Sequence, residues 1–127
     1  MGLAGNFTDD RPIFLQIAEL LEDAILSGAY GEEEQVPSIT EFSVAYKINP
    51  ATALKGVSIL ADEGLLYKKR GLGMFVAAGA KGKLASRRKD RFFRDFVLPT
   101  AREAKRLEIT ESELIEMTER GFKQNGD

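Results

Sequence analysis

The chain contains no cysteine and no histidine. Without cysteine there is no disulfide framework and no thiol chemistry. Without histidine the commonest metal ligand and the commonest general base are missing. No apolar run is long enough to span a bilayer, and the first residues lack the charged-then-apolar layout of a secretory signal. A cytoplasmic location is therefore expected, with no membrane partner. There is no phosphate-cradling glycine motif, and the acids form no convergent pair suited to acid–base work. Glu32-Glu33-Glu34 reads as a solvated loop, because consecutive residues rarely converge on one ion. No enzyme activity, metal or cofactor is expected.

What remains is a chain of 127 residues with 43% hydrophobic content, enough for one small domain and an appendage. Its net charge of −2 does not advertise a nucleic-acid partner. The distribution says more. Residues 1–79 carry six bases against eleven acids, and the rest carries twelve bases against nine acids. Most acids of the first part, from Glu19 to Glu34, lie outside the stretch that carries the strongest pattern.

That stretch is Pro37 to Val76, PSITEFSVAYKINPATALKGVSILADEGLLYKKRGLGMFV. Ser38 followed by Glu41 has the spacing of a capping box. Ile39, Phe42, Ser43 and Ala45 can supply the inner face of the helix it opens. Lys47-Ile48-Asn49 makes a turn. Asn49 suits an N-cap, and Pro50 suits the first helical position, where its missing N–H costs nothing. The next helix, Ala51 to Glu63, sets Ala53, Val57 and Leu60 on one side, and Gly64 stops it. Leu65-Leu66-Tyr67 and Met74-Phe75-Val76 read as strands around a cationic tip, Lys68 to Gly73. The fold expected is α+β: a mainly helical winged helix-turn-helix.

Such an arrangement suits DNA. A helix fits the major groove while a preceding helix steadies it across the backbone. Two glycines let the tip approach a groove closely, and three cations attract phosphates. Winged helices also serve as protein-interaction modules, and a KKRG tip can be a plain solvated turn.

On either side the pattern continues. Met1 to Asp10 reads as a loose leader. Arg11-Pro12 starts a helix to about Ser27, with Ile13, Ile17, Leu20, Leu21, Ala24 and Ile25 at three-four spacing, and Gly28 ends it. Phe14 and Tyr30 read as core or rim residues. After Val76, Ala77 to Gly82 form a small-residue linker. Lys83 to about Val97 reads as helix, Pro99 kinks or interrupts it, and Leu107-Glu108-Ile109 makes a break. Thr110 with Glu113 repeats the capping-box spacing, and a last helix runs from Glu111 to about Lys123. The end, from Gln124, should fray. These striped helices cannot bury their apolar residues alone. Phe92, Phe93 and Phe96 fit either a dimer interface or an effector pocket. Residues 81–94 hold seven cations against Asp90 alone, which fits either a solvated face or contact with flanking phosphates; Arg87, Arg88 and Arg91 belong to this block.

Several segments in register resemble the GntR family of bacterial transcription regulators. They are Pro12 to Glu19, Gly28, Val36-Pro37-Ser38, Thr52, Glu63 to Leu66 and Arg70 to Val76. The resemblance covers roughly residues 12 to 78. The short tail is similar to that of the family's YtrA-type branch, a pair of helices. There are departures. Thr40 stands where the family usually has arginine, Pro50 where a second arginine is frequent, Lys55 where arginine is common, and Met74 where threonine is usual.

The resemblance implies a sequence-specific regulator, a dimeric repressor of a transporter operon released by an unknown small-molecule effector. The other reading is a protein-interaction winged helix that has lost specific DNA binding. On the first, residues 1–79 bind a palindromic double-stranded operator. The expected contacts are Ser38, Thr40, Asn49, Thr52, Lys55, Lys68, Lys69, Arg70, Gly71 and Gly73. Residues 80–127 then form a homodimer through Leu84, Phe92, Phe96, Leu114, Met117 and Phe122.

Overall fold

A computed structural model describes residues 7–124. The start of the expected leader and the end of the expected frayed terminus lie outside the described residues. The chain divides after Ser86 into two units.

In the first unit, helix α1 (Ile13–Ser27) buries Ile17, Leu21, Ala24 and Ile25 from the expected stripe. The segment before it is not loose where it is described. Gln16 is buried and ties it down, accepting from the Thr8 N–H at 2.9 Å and donating to the Thr8 and Arg11 carbonyls at 2.9 and 2.8 Å. The Phe7 ring lies 5.3 Å from that of Tyr46. Helix α2 (Ile39–Tyr46) opens on the expected capping box. The Glu41 N–H donates to Ser38 Oγ at 3.0 Å, and the Ser38 N–H donates to Glu41 Oε1 at 2.7 Å. Its apolar stripe is Ile39, Phe42 and Tyr46. Ala45, expected inside, is exposed, because it falls about a right angle away from that stripe.

Helix α3 (Pro50–Asp62) is capped by Asn49, whose Oδ1 accepts from the Ala51 N–H at 2.8 Å. Ala53, Val57 and Leu60 are buried as expected, and so is Gly56. α1 packs on α3 at that glycine. A Cβ on Gly56 would sit 2.8 Å from both Ile17 Cγ2 and the Phe14 carbonyl oxygen, so the close crossing requires glycine.

Strands β1 (Leu66–Lys69) and β2 (Gly73–Val76) pair antiparallel, Leu66 opposite Val76 and Lys69 opposite Gly73. The ladder reaches further into the basic run than the sequence pattern suggests. Lys68 and Lys69 are ladder residues, and the tip is Arg70-Gly71-Leu72. The segment 33–36 lines the other edge of β2, with the Val36 N–H donating to Met74 O and the Val76 N–H to Glu34 O, both at 2.9 Å.

Helix α4 (Ala80–Phe92) begins within this unit. Ala80 and Leu84 belong to its core, and Leu84 is fully buried there. Leu84 therefore does not serve an interface between chains, and the winged core reaches past Gly79. Periodicity marks Leu84 as apolar-facing but cannot name the body it faces. Lys83 Nζ donates to the Glu63 carbonyl at 2.7 Å, satisfying the C-terminal end of α3.

In the second unit, the last residues of α4 lead into a π-helical turn, Phe93–Val97, and then α5 (Leu98–Arg106). Ahead of Pro99 the α-helical ladder is interrupted, as expected, but by a π-helical turn and not by a loop. The Leu98 N–H reaches back five residues to Phe93 O, and Thr100 Oγ1 donates to Phe96 O at 2.6 Å. The wider turn makes room for the proline ring ahead of the site where it would clash. Glu108, at φ +58°, makes the expected break. Helix α6 (Glu111–Gln124) opens on a second capping box. The Thr110 N–H donates to Glu113 Oε1 at 2.9 Å, and the Glu113 N–H to Thr110 Oγ1 at 3.1 Å. Those bonds hold the Glu113 carboxyl below its ordinary pKa. Among the described residues of this unit only Ala104 is buried. No described helix is long and apolar enough to cross a membrane.

Candidate nucleic-acid interface

The first unit sets a helix-turn-helix beside a two-stranded wing. Since Ala53, Gly56, Val57 and Leu60 point inward, the opposite face of α3 is Ala51, Leu54, Lys55, Ser58 and Asp62. Ala51, Leu54, Lys55 and Asp62 are exposed, and Leu54 keeps 54% of its surface in water. Asn49 and Pro50 set the N-terminal end of α3 at the surface, where the helix dipole is positive.

The residues expected at DNA have different fates. Ser38 and Asn49 are exposed, and both use a side-chain oxygen as a helix cap. Ser38 accepts there, which leaves its own O–H to donate. Thr40 on α2 is exposed and Thr52 is half-buried. Lys55 is exposed, but its Nζ lies 4.0 Å above the centre of the Phe14 ring on α1. That cation–π contact draws its head toward α1. Lys68, Arg70 and Gly71 are exposed on the wing. Lys69 lies along its own sheet, with Nζ 4.4 Å from the Phe75 ring centre and 5.9 Å from that of Tyr67.

Gly73 is a strand residue at φ +122°, a conformation that favours glycine. A Cβ there would also lie 2.7 Å from Gln35 Nε2. Gln35 donates a hydrogen bond to the Leu72 carbonyl and so braces the wing tip from the neighbouring segment. Beside it, the Tyr67 hydroxyl bonds to Glu33, which with burial pushes the phenol pKa up. The acidic loop is thus part of the wing's support. No cluster of three or more possible metal ligands occurs among the described residues.

Sequence reasoning missed Ala51, Leu54, Ser58, Gln35 and Gly56. The first three were available from the helical wheel, as the complement of Ala53, Val57 and Leu60. Gln35 and Gly56 act through contacts across the fold, which local pattern does not carry.

Known proteins share this geometry and its sequence. Residues 14–76 match the model for bacterial regulatory proteins of the gntR family. The fold is similar to a GntR-family transcriptional regulator from Bacteroides thetaiotaomicron, with TM-score 0.76 and 35% identity over 90% of this chain and 99% of that one. It is also similar to the DNA-binding domain of AraR in complex with operator ORX1. That likeness has TM-score 0.52 and 27% identity over 58% of this chain and 90% of the other. Among curated relatives, the chain is 30% identical over 73 residues to the HTH-type transcriptional repressor YtrA of Bacillus subtilis, covering 58% of this chain and 56% of YtrA.

Proposed function

The chain belongs to the gntR family of bacterial regulatory proteins, and from that premise we propose that it works as a dimeric repressor on a palindromic operator, released by a small-molecule effector. Membership makes it a DNA-binding transcription regulator and not an enzyme. Its place of work is the cytoplasm, where the chromosome lies.

One observation carries the dimer. The second unit exposes Phe92, Phe96, Met117 and Phe122, the last at 82%, and the Phe92 and Phe96 rings stack with centres 5.5 Å apart. Large apolar side chains at this density call for a partner, and a second copy is the simplest one. On α6, Leu114 is half-buried beside α5, and Met117 adds a further exposed apolar side chain. Residues up to Ser86 supply the DNA-binding unit, and the tail from Arg87 couples two of them. In each unit the N-terminal end of α3, Ser38, Thr40 and Thr52 face the backbone and groove, while Lys68, Lys69, Arg70 and the glycines of the wing meet phosphates beside them.

The repressor role follows the name of the relative YtrA, and control of a transporter operon follows the resemblance to its branch. A groove of about 570 Å³ between α5 and α6 has the size of a small-ligand site. An effector there would favour one arrangement of the dimer by binding it more tightly.

Sedimentation velocity tests the dimer. The full chain should run as a dimer, and Phe96→Asp, which puts a charge in an apolar interface, should run as a monomer. A gel shift on DNA upstream of the chain's own gene should weaken about 100-fold in that variant. A monomeric full chain that shifts the DNA at full strength would overturn the dimer. A folded dimer that shifts none of that DNA would favour the protein-interaction reading, which the absence of arginine at Thr40 and Pro50 allows.

A further inference from the structure

We propose that Leu54 is a specificity residue that reads thymine through its C5-methyl group. The inference rests on the reading that α3 enters the major groove, and it concerns which base edge that helix recognises.

Hydrogen-bond readout of bases relies mostly on arginine, lysine, asparagine and glutamine. The outward face of α3 holds only one of these, Lys55, and its head is drawn over the Phe14 ring. Asn49 spends its Oδ1 on capping the helix. Asp62 repels phosphate at the far end of the face. What remains toward the N-terminal half is apolar: Ala51, and one turn on, Leu54.

Leu54 is not needed for the fold. The core of the unit is closed by Ala53, Gly56, Val57 and Leu60 on the other side of the helix, and Leu54 remains 54% exposed. A lone exposed leucine is ordinary on most surfaces. This one lies on the recognition helix, near the positive end of its dipole and in the same unit as the cationic wing. A positive helix end attracts the phosphates that flank a groove, and the thymine methyl is the one apolar group that the major groove displays. Leucine buried against it removes apolar surface of both from water. Ala51 leaves room for the approach. The place of the missing hydrogen-bond readers is thereby taken by apolar contact, with phosphate contacts supplying orientation.

The test uses the full chain and selection of bound duplexes from a random DNA library. The selected half-site should contain a thymine at which replacement by deoxyuridine, which deletes only the methyl, weakens binding about three- to fivefold. Leu54→Ala should bind the thymine and uracil duplexes equally, with its melting temperature unchanged because the side chain is exposed. Leu54→Arg should shift the preference at that position toward guanine. Uracil replacement without effect at every position would overturn the proposal, as would a Leu54→Ala variant that still discriminates. If selection enriches no sequence at all, sequence-specific binding itself fails and the inference falls with it.

Discussion

At the scale of single residues, Gly73 shows how a wing position is constrained from inside. The sequence presents it as a small residue near a cationic tip, which suggests close approach to a groove. The structure adds two internal demands: φ of +122° and Gln35 Nε2 lying 2.7 Å from where a Cβ would stand. Forcing a β-branched side chain into that conformation costs about 1–3 kcal/mol. Gly73→Val should therefore lower the melting temperature as well as DNA affinity. Gln35→Ala should loosen the tip through loss of the Leu72 bond while sparing the backbone strain, so it should reduce affinity with a smaller loss of stability. Thermal melts and anisotropy titrations of the two variants measure this. Gly73→Val melting like the native chain would refute the internal role.

The elements were largely readable because their signals are local. Capping boxes at Ser38/Glu41 and Thr110/Glu113, the Asn49-Pro50 start and the three-four stripes of α1 and α3 each act within one turn of helix. The errors fall where an element's limits depend on something distant. Pairing with β2 and the brace from residues 33–36 draw Lys68 and Lys69 into the sheet. The interruption ahead of Pro99 is expected, but its form, a π-helical turn, is not something that proline alone announces. α4 belongs partly to the winged core, and this alters where the chain can be cut. A chain ending at Gly79 loses the fully buried Leu84 and the Lys83 bond to Glu63 O. By analogy with deletion of a buried leucine, it should be less stable than a chain ending at Ser86 by about 2–5 kcal/mol. Urea denaturation of the two truncated chains checks this. Equal stability would show that α4 is dispensable to the core.

For the molecule as a whole, the sequence gives a winged unit and an apolar-striped tail, and it leaves open what the stripes meet. The reason is physical. Leu84, Phe92 and Phe96 look alike in a periodic pattern, yet the first is buried in its own unit while the other two stay in water. Only the folded chain separates a core residue from one left exposed. The same holds for the recognition surface. The departures at Thr40 and Pro50 are plain in the sequence, but the engagement of Lys55 with Phe14, and the resulting prominence of Leu54, are not. In the proposed regulator two winged units are joined by their tails, with half-sites about one helical turn, or a multiple of it, apart. Its most direct test is a binding titration of the full chain on a selected palindrome and on the isolated half-site, with stoichiometry read from the same data. Two chains should bind the palindrome, at least about 100-fold more tightly than the half-site. One chain per site, with equal affinity for both duplexes, would contradict it.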